Sequence, residues 1–222
     1  MMSTIRCLLA IACIAVLAGA AQAEILDQDQ ELGNGSTSVG EGMTYAQTFT
    51  AGISGPLGRI EICAPQVVPG LTDLPAGVFP AGNVGYPTAV SIVEAPGGIP
   101  ADTPLATIAG HVFADGWGSV DFQGLGVSIE AGKQYAILLV NDDADYGADP
   151  TLLLLVQWEG DLYAGGDFMR KSTEGWRYFT YSGESGLPTG SDIRFRTYIV
   201  PEPSATLLLM LGLAWLRRRG HR

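Results

Sequence analysis

The feature that most limits this chain is its periodicity. Between residues 24 and 200 no stretch keeps apolar residues at i, i+3, i+4 and i+7 for three turns without a Gly or Pro interrupting it. Short runs alternate apolar and polar residues instead, separated by Gly-, Pro- and Asp-rich turns. A strand presents alternate residues to opposite faces and can bury such a pattern on one side; a helix cannot. Residues 43–51 set Tyr45 and Phe49 against Thr44, Thr48 and Thr50, and residues 57–64 set Ile60 and Ile62 against Arg59, Glu61 and Cys63. Residues 117–122 set Val120 and Phe122 against Trp117, Ser119 and Asp121, and residues 192–199 set Ile193, Phe195 and Ile199 against Arg194, Arg196 and Tyr198. Each of these four is expected to keep one wet face. Residues 135–140 and 152–158 are apolar on both faces and are expected to be central strands covered on both sides. Residues 89–94 and 105–112 add two more. The pattern predicts an all-β fold, an antiparallel β-sandwich or jelly roll of about eight to ten strands. Residues 65–87, with five Pro and four Gly, are expected to be a loop insertion over the surface.

The two ends do not share this pattern. Residues 1–23 carry Arg6, an apolar run over 7–17 and the small-residue triplet Ala21-Gln22-Ala23, the order of a secretory signal helix cleaved before Glu24. The other end places an apolar run over 205–216 after Pro201-Glu202-Pro203 and before Arg217, Arg218, Arg219 and Arg222. As a helix that run would cover about 18 Å, short of the ~30 Å hydrocarbon core, so it suits a weak or temporary anchor. The arginines would stay on the cytoplasmic side of the membrane.

Pro-Glu-Pro, a short apolar helix and a terminal Arg cluster, in that order, resemble the PEP-CTERM sorting signal of bacterial surface proteins. The resemblance implies recognition by an exosortase-type transpeptidase and cleavage near Pro201, Glu202 and Pro203, with Arg217, Arg218 and Arg219 as the retention cluster. Expected partners are therefore the Sec and signal peptidase machinery, the exosortase-type enzyme and, through 205–216, the inner membrane in passing. The expected location is the cell envelope or extracellular surface. The logic parallels other removable hydrophobic tails.

Removing both ends leaves residues 24–200, with 7 of the 12 basic and 22 of the 23 acidic residues, a net charge of −15. That charge opposes binding to nucleic acid, whose readers carry basic patches. Cys63 is the only cysteine left in this span, so no disulfide can form within it.

A second resemblance lies inside this span. Ala46-Gln47-Thr48-Phe49-Thr50-Ala51-Gly52 with Gly55-Pro56-Leu57 resembles the opening of choice-of-anchor-type bacterial surface domains. Later parts are similar too: Ile129-Glu130-Ala131-Gly132-Lys133-Gln134-Tyr135-Ala136-Ile137, Tyr163-Ala164-Gly165-Gly166, Trp176, and Asp192-Ile193-Arg194-Phe195-Arg196-Thr197-Tyr198. The likeness covers about residues 40–199. It implies a β-sandwich akin to carbohydrate-binding modules and brings no catalytic motif with it.

Signals for catalysis are sparse. His111 is the only histidine in 24–200 and lies in a strand-like run, so it reads as an ordinary strand residue. No nucleophile elbow, phosphate-binding loop or dinucleotide motif is present. The expectation is a protein that is not an enzyme; a small glycan hydrolase, which needs only two close carboxylates, is the catalytic alternative, and none of the 22 acids stands out as such a pair. Asn141, Asp142, Asp143, Asp145 and Asp149 put four carboxylates and an amide within nine residues, a set that a structural calcium ion could bridge, although the spacing is not that of an EF-hand. Asp27, Asp29 and Glu31 form a second acidic string. Trp117, Tyr163, Trp176 and Tyr178 are candidates to stack against an extracellular polysaccharide, Trp176 and Tyr178 sharing one face of a short strand.

Overall fold

Period-two alternation becomes antiparallel pairing throughout. The computed structural model describes residues 23–32, 35–39, 43–64, 88–113, 116–141, 152–157, 163–179 and 191–201. The expected signal and tail helices, the 65–87 insertion and Trp158 lie outside them. The described strands are β1 (Ile25–Gln30), β2 (Gly35–Val39), β3 (Thr44–Thr50), β4 (Gly55–Ala64), β5 (Thr88–Glu94), β6 (Pro104–His111) and β7 (Gly116–Asp121). They continue with β8 (Ser128–Ile129), β9 (Gln134–Asn141), β10 (Leu152–Gln157), β11 (Phe168–Ser172), β12 (Gly175–Tyr178), β13 (Asp192–Ile193) and β14 (Phe195–Ile199). These fourteen exceed the eight to ten expected, because two-residue strands such as β8 and β13 have no readable alternation. They belong to a compact unit spanning Ile25–Glu202, whereas Met1–Glu24 and Pro203–Arg222 fall to a separate one.

Three hydrogen-bonded sheets result. One runs β12-β11-β3-β9-β5-β6, one runs β1-β14-β4-β7 with β8 added on β4, and a third runs β13-β10-β2. Tyr45, Phe49, Val90, Ile92 and Ile137 from the first meet Ile60, Ile62, Val120 and Phe195 from the second in one buried cluster. That is the interior of a β-sandwich, built from the inward-facing half of each alternating strand. Within it Phe49 lies 6.1 Å from Phe195 and 6.0 Å from Tyr135, ring centre to ring centre, in tilted contacts.

The six-stranded sheet departs from the one-wet-face expectation. Ala46 and Thr48, on the far side of β3 from Tyr45 and Phe49, are fully buried. Ala46, Val93, Ala95, Ala136 and Met169 form a second apolar cluster, with Leu138 and Trp176 against it. Cross-strand register explains the grouping, since Ala46 pairs with Leu138 and Met169, and Val93 with Ala136. Partners across a ladder share a face, so small apolar residues collect on one side. β9, the heart of the 135–140 run, is central between β3 and β5, as its two apolar faces require. β10 is likewise central, between β13 and β2.

The strand expected over 192–199 is two strands. β13 pairs with β10 and β14 pairs with β4, so the chain changes sheets at Arg194. Such a corner lets one strand serve two layers. At one edge of the sandwich β6 has no charged residue, and Pro104 together with register irregularities against β5 interrupts its ladder. Edges so interrupted resist pairing with a foreign strand.

Candidate functional site

The outer face of the β1-β14-β4-β7 sheet collects aromatic and charged side chains. Register sets them in cross-strand rows. Arg196 pairs with Glu61, which pairs with Ser119; Tyr198 pairs with Arg59, which pairs with Asp121. Cys63 pairs with Trp117, and its main-chain N–H donates to the Arg194 carbonyl at 3.0 Å. The first row is therefore Arg194, Cys63 and Trp117. The Trp117 ring, on the strand beyond Cys63, has the Arg196 and Arg194 guanidiniums 4.2 and 5.3 Å from its centre. Alternation put Cys63 on this outer face, yet it is only 5% exposed.

The second and third rows are closed by ion pairs. Arg196 donates from Nε to Asp29 at 3.1 Å, pairs with Glu31, and lies 3.5 Å from Glu61. Arg59 donates to Glu61 at 3.2 Å and stacks 3.8 Å over the Tyr198 ring, whose hydroxyl donates to Glu61 at 2.9 Å. Individually such pairs stabilise by about 0.2–1 kcal/mol; shared on Glu61 and Arg196 they fix the orientation of the whole face. Among the described residues Arg194 forms no ion pair, and its buried Nε–H has no acceptor.

The other predicted stacking residues lie elsewhere. Trp176 and Tyr178 do share a face of β12, on the six-stranded sheet. Trp176 packs on the second apolar cluster, 5.6 Å from the Lys171 ammonium, and its indole N–H is buried without an acceptor. Tyr178 is 55% exposed. Tyr163 is buried, with its ring turned into the fold. Its ring meets Phe195 edge-on at 5.1 Å and its hydroxyl donates to Gln28 at 2.7 Å. The four rings therefore do not make one platform.

Tyr163 belongs to an interior polar cluster. Gln47 donates from Nε2 to Asp192 Oδ1 at 2.9 Å and accepts the Ile193 N–H at 2.9 Å, tying β3 to β13. The Tyr163 main-chain N–H donates to Asp192 Oδ2 at 3.3 Å. Burial pushes the Tyr163 phenol well above its usual range, so it serves as a neutral donor.

The acidic strings separate in the same way. Asn141 ends β9, and Asp142, Asp143, Asp145 and Asp149 lie outside the described residues. Asp27, Asp29 and Glu31 do not converge as calcium ligands: Asp29 and Glu31 hold Arg196, and Asp27 turns inward. Asp27 sits at a bulge in the β1–β14 ladder, where it accepts the Gly52 and Ile53 N–H groups at 2.9 and 2.6 Å. A bulge re-aims one side chain out of the alternation. Burial raises the Asp27 pKa above its ordinary value, with the two amide bonds opposing the rise. Among the described residues no three His, Cys, Asp or Glu side chains group as metal ligands. His111 is half-buried at the end of β6, edge-on to Phe113 at 4.6 Å, and burial lowers its pKa.

Of the sorting and cleavage residues, Ala23, Glu24 and Pro201 are described; Ala21, Glu202, Pro203, Arg217, Arg218 and Arg219 lie outside. No helix among the described residues is long and apolar enough to cross a membrane. The sequence had placed Trp117, Arg194, Arg196 and Tyr198 outward by parity but not as a unit. The missed signal was that Arg59-x-Glu61 on one strand and Arg194-x-Arg196-x-Tyr198 on another alternate in step.

No protein-family model matches the chain, and no curated protein matches it. Solved structures match in fold. A clostridial cysteine protease, Cwp84, after propeptide cleavage is similar over 79% of this chain and 39% of its own, with a TM-score of 0.51 and 16% identity. The cysteine protease and lectin-like domains of Cwp84, a surface layer associated protein of Clostridium difficile, are similar over 79% of this chain and 35% of their own, again at TM-score 0.51 and 16% identity. The chain thus spans little more than a third of the solved chains it matches, and the likeness is one of β-sandwich fold.

Proposed function

We propose that this chain is an exported, surface-anchored β-sandwich with a non-catalytic role in the envelope or extracellular matrix. One observation carries the reading. The compact unit spans Ile25–Glu202, and β1 and β14 pair antiparallel with Ile25 opposite Ile199. The fold therefore begins two residues after Ala23 and its last strand ends two residues before Pro201. Both terminal segments can be removed without taking a strand from the ladder. A Sec-type leader over 1–23 delivers the domain, and the PEP-CTERM-like segment over 201–222 holds it at the inner membrane until an exosortase-type transpeptidase acts. The similar fold within a surface layer associated protein is in keeping with that destination. Cys63, the only cysteine of residues 24–200, is buried on a strand, the environment of an inert thiol, which supports the non-catalytic reading.

Intact-mass spectrometry of the protein from its producing cells tests the reading. The expected species starts at Glu24 and lacks the residues after about 203. A species that retains both Met1 and Arg222 overturns it.

The outer-face row of Trp117 favours a second reading, a glycan-binding module. The half-buried Trp117 indole, with two guanidiniums 4.2 and 5.3 Å from its ring centre, puts an aromatic ring beside charged donors, the mix of groups that a sugar site uses. The solved structure of similar fold that includes lectin-like domains is consistent with it.

A further inference from the structure

The first and last strands of the domain carry a set of polar groups that neither proposed role uses. Gln28 on β1 pairs with Thr197 on β14, and partners across an antiparallel ladder share a face with Cβ atoms about 4.5–5.5 Å apart. Thr197 is fully buried, so water does not solvate its hydroxyl. That hydroxyl donates to Asp27 Oδ2 at 3.4 Å, a long bond of the kind that tightens as a reaction begins. The Gln28 carboxamide donates to the same carboxylate, and its Oε1 accepts the Tyr163 hydroxyl at 2.7 Å. Gly52 leaves room for both side chains: a Cβ there would stand 3.1 Å from Asp27 Oδ1 and 3.1 Å from Gln28 Nε2.

A hydroxyl, a carboxylate, a carboxamide and a phenol therefore meet from β1, β14 and the turn that begins at Tyr163. These are the four parts of an acyl transfer: a nucleophile, a proton carrier, an acyl carbon and a donor to the developing oxyanion. Burial raises the Asp27 pKa, which makes its carboxylate a better base, and it keeps the Tyr163 phenol protonated.

We propose that Thr197 and Gln28 are joined by a side-chain ester that the folded chain forms once, on itself. Thr197 Oγ1 attacks Gln28 Cδ while Asp27 takes the hydroxyl proton. The Tyr163 hydroxyl holds the negative charge that gathers on Gln28 Oε1. Asp27 then passes the proton to Gln28 Nε2, and the Cδ–Nε2 bond breaks. One C–O bond forms, one C–N bond breaks and one ammonia leaves, with no oxidant, reductant or cofactor. The link ties the strand that enters the domain to the strand that leaves it, so a pull between the two ends loads a covalent bond rather than the β1–β14 hydrogen bonds. Neither the sorting segment nor a glycan enters this chemistry.

Mass spectrometry of the purified full chain, intact and after trypsin in denaturant, tests it. The expected protein is about 17 Da lighter than its sequence, the mass of one ammonia. Arg196 precedes Thr197, so trypsin releases a peptide that starts at Thr197; the expected digest holds it joined to the peptide that contains Gln28 and ends at Arg59. Mild alkali should part the two, as it does an ester. The joined pair is the deciding species, because ring closure at Asn34-Gly35 loses ammonia too. Thr197→Val, of nearly the same shape, should give no joined pair. Tyr163→Phe keeps the ring against Phe195 and should slow formation of the pair after refolding by about a hundredfold. Absence of the joined pair from a parent chain whose circular dichroism shows strands overturns the ester, whatever the variants do. A joined pair that persists in Thr197→Val, or that resists alkali, overturns it as well, and an unslowed Tyr163→Phe overturns the oxyanion role of Tyr163.

Discussion

Gly166 is where one added methyl should do the most harm. A Cβ built there would overlap the Thr48 carbonyl and come within 2.8 Å of Thr48 Oγ1. Neither can step aside without loss. The Thr48 N–H donates to the Asp167 carbonyl at 2.9 Å, the Asp167 N–H donates to Thr48 Oγ1 at 2.7 Å, and that hydroxyl donates back to the Asp167 carbonyl at 3.2 Å. Thr48 is fully buried, so water cannot replace these bonds. Gly166→Ala would break two or three bonds of about 1 kcal/mol each, or else leave a buried donor unmet at about 1–3 kcal/mol. Overpacking adds about 1–3 kcal/mol, and partial retreat of the turn relieves some of it. A total of about 3–5 kcal/mol at about 2–4 °C per kcal/mol gives a fall in melting temperature of about 6–20 °C. Urea titration and thermal melts followed by circular dichroism measure it. Gly124→Ala is the control: Gly124 has φ +78° with nothing within 4 Å of its Cβ, so only backbone strain of about 1–2 kcal/mol is expected. A Gly166→Ala protein melting within about 3 °C of the parent, or no lower than Gly124→Ala, would refute the reasoning.

Burial lowers the His111 pKa below 6.5, so the unfolded chain takes up its proton first as pH falls; this contribution to stability is complete above pH 6.5 and is lost as pH drops from there toward the folded value. His111→Phe should flatten the melting temperature between pH 7.5 and 5.5, and an equally steep fall in the variant rejects the assignment. Trp117→Ala should raise the rate at which an aromatic disulfide reagent modifies the buried Cys63 by about tenfold, because Trp117 is its cross-strand partner on the same face; an unchanged rate means that other residues protect it. If residues 141–149 hold calcium, a concentration about a hundredfold above Kd should stabilise by about 2.7 kcal/mol, a rise of about 5–11 °C, lost in Asp143→Asn with Asp145→Asn. An identical melt with and without millimolar Ca²⁺ removes that site.

Much of this fold was legible because alternation is a local signal. Ile60, Ile62, Val120, Phe195 and Ile199 all sit inward as parity required, with Arg59, Glu61, Arg196 and Tyr198 outward. What parity cannot report is whether an outward face is later covered. Thr48 and Ala46 are buried by residues far along the chain, and Cys63 is buried on the face that parity puts outward. Tyr163 lies in a Gly-rich loop, but it is buried, with its ring against Phe195 and its hydroxyl bonded to Gln28, 135 residues away. Asp27 looked like one of three equivalent acids, and a bulge turned it alone inward. The rows of the outer face needed strand order and register, neither of which is written in any single segment.

Strand register carries the whole account, since it puts Ile25 beside Ile199 and assembles the Trp117 face. Cross-strand Hα–Hα contacts read by NMR on the protein test it most directly. The pairs Ala46 with Leu138, Ile60 with Thr197, and Gln28 with Thr197 are in register, so contacts consistent with these ladders are expected. Sequential i, i+4 contacts through residues 44–64, or a ladder offset by one residue between β4 and β14, would contradict it.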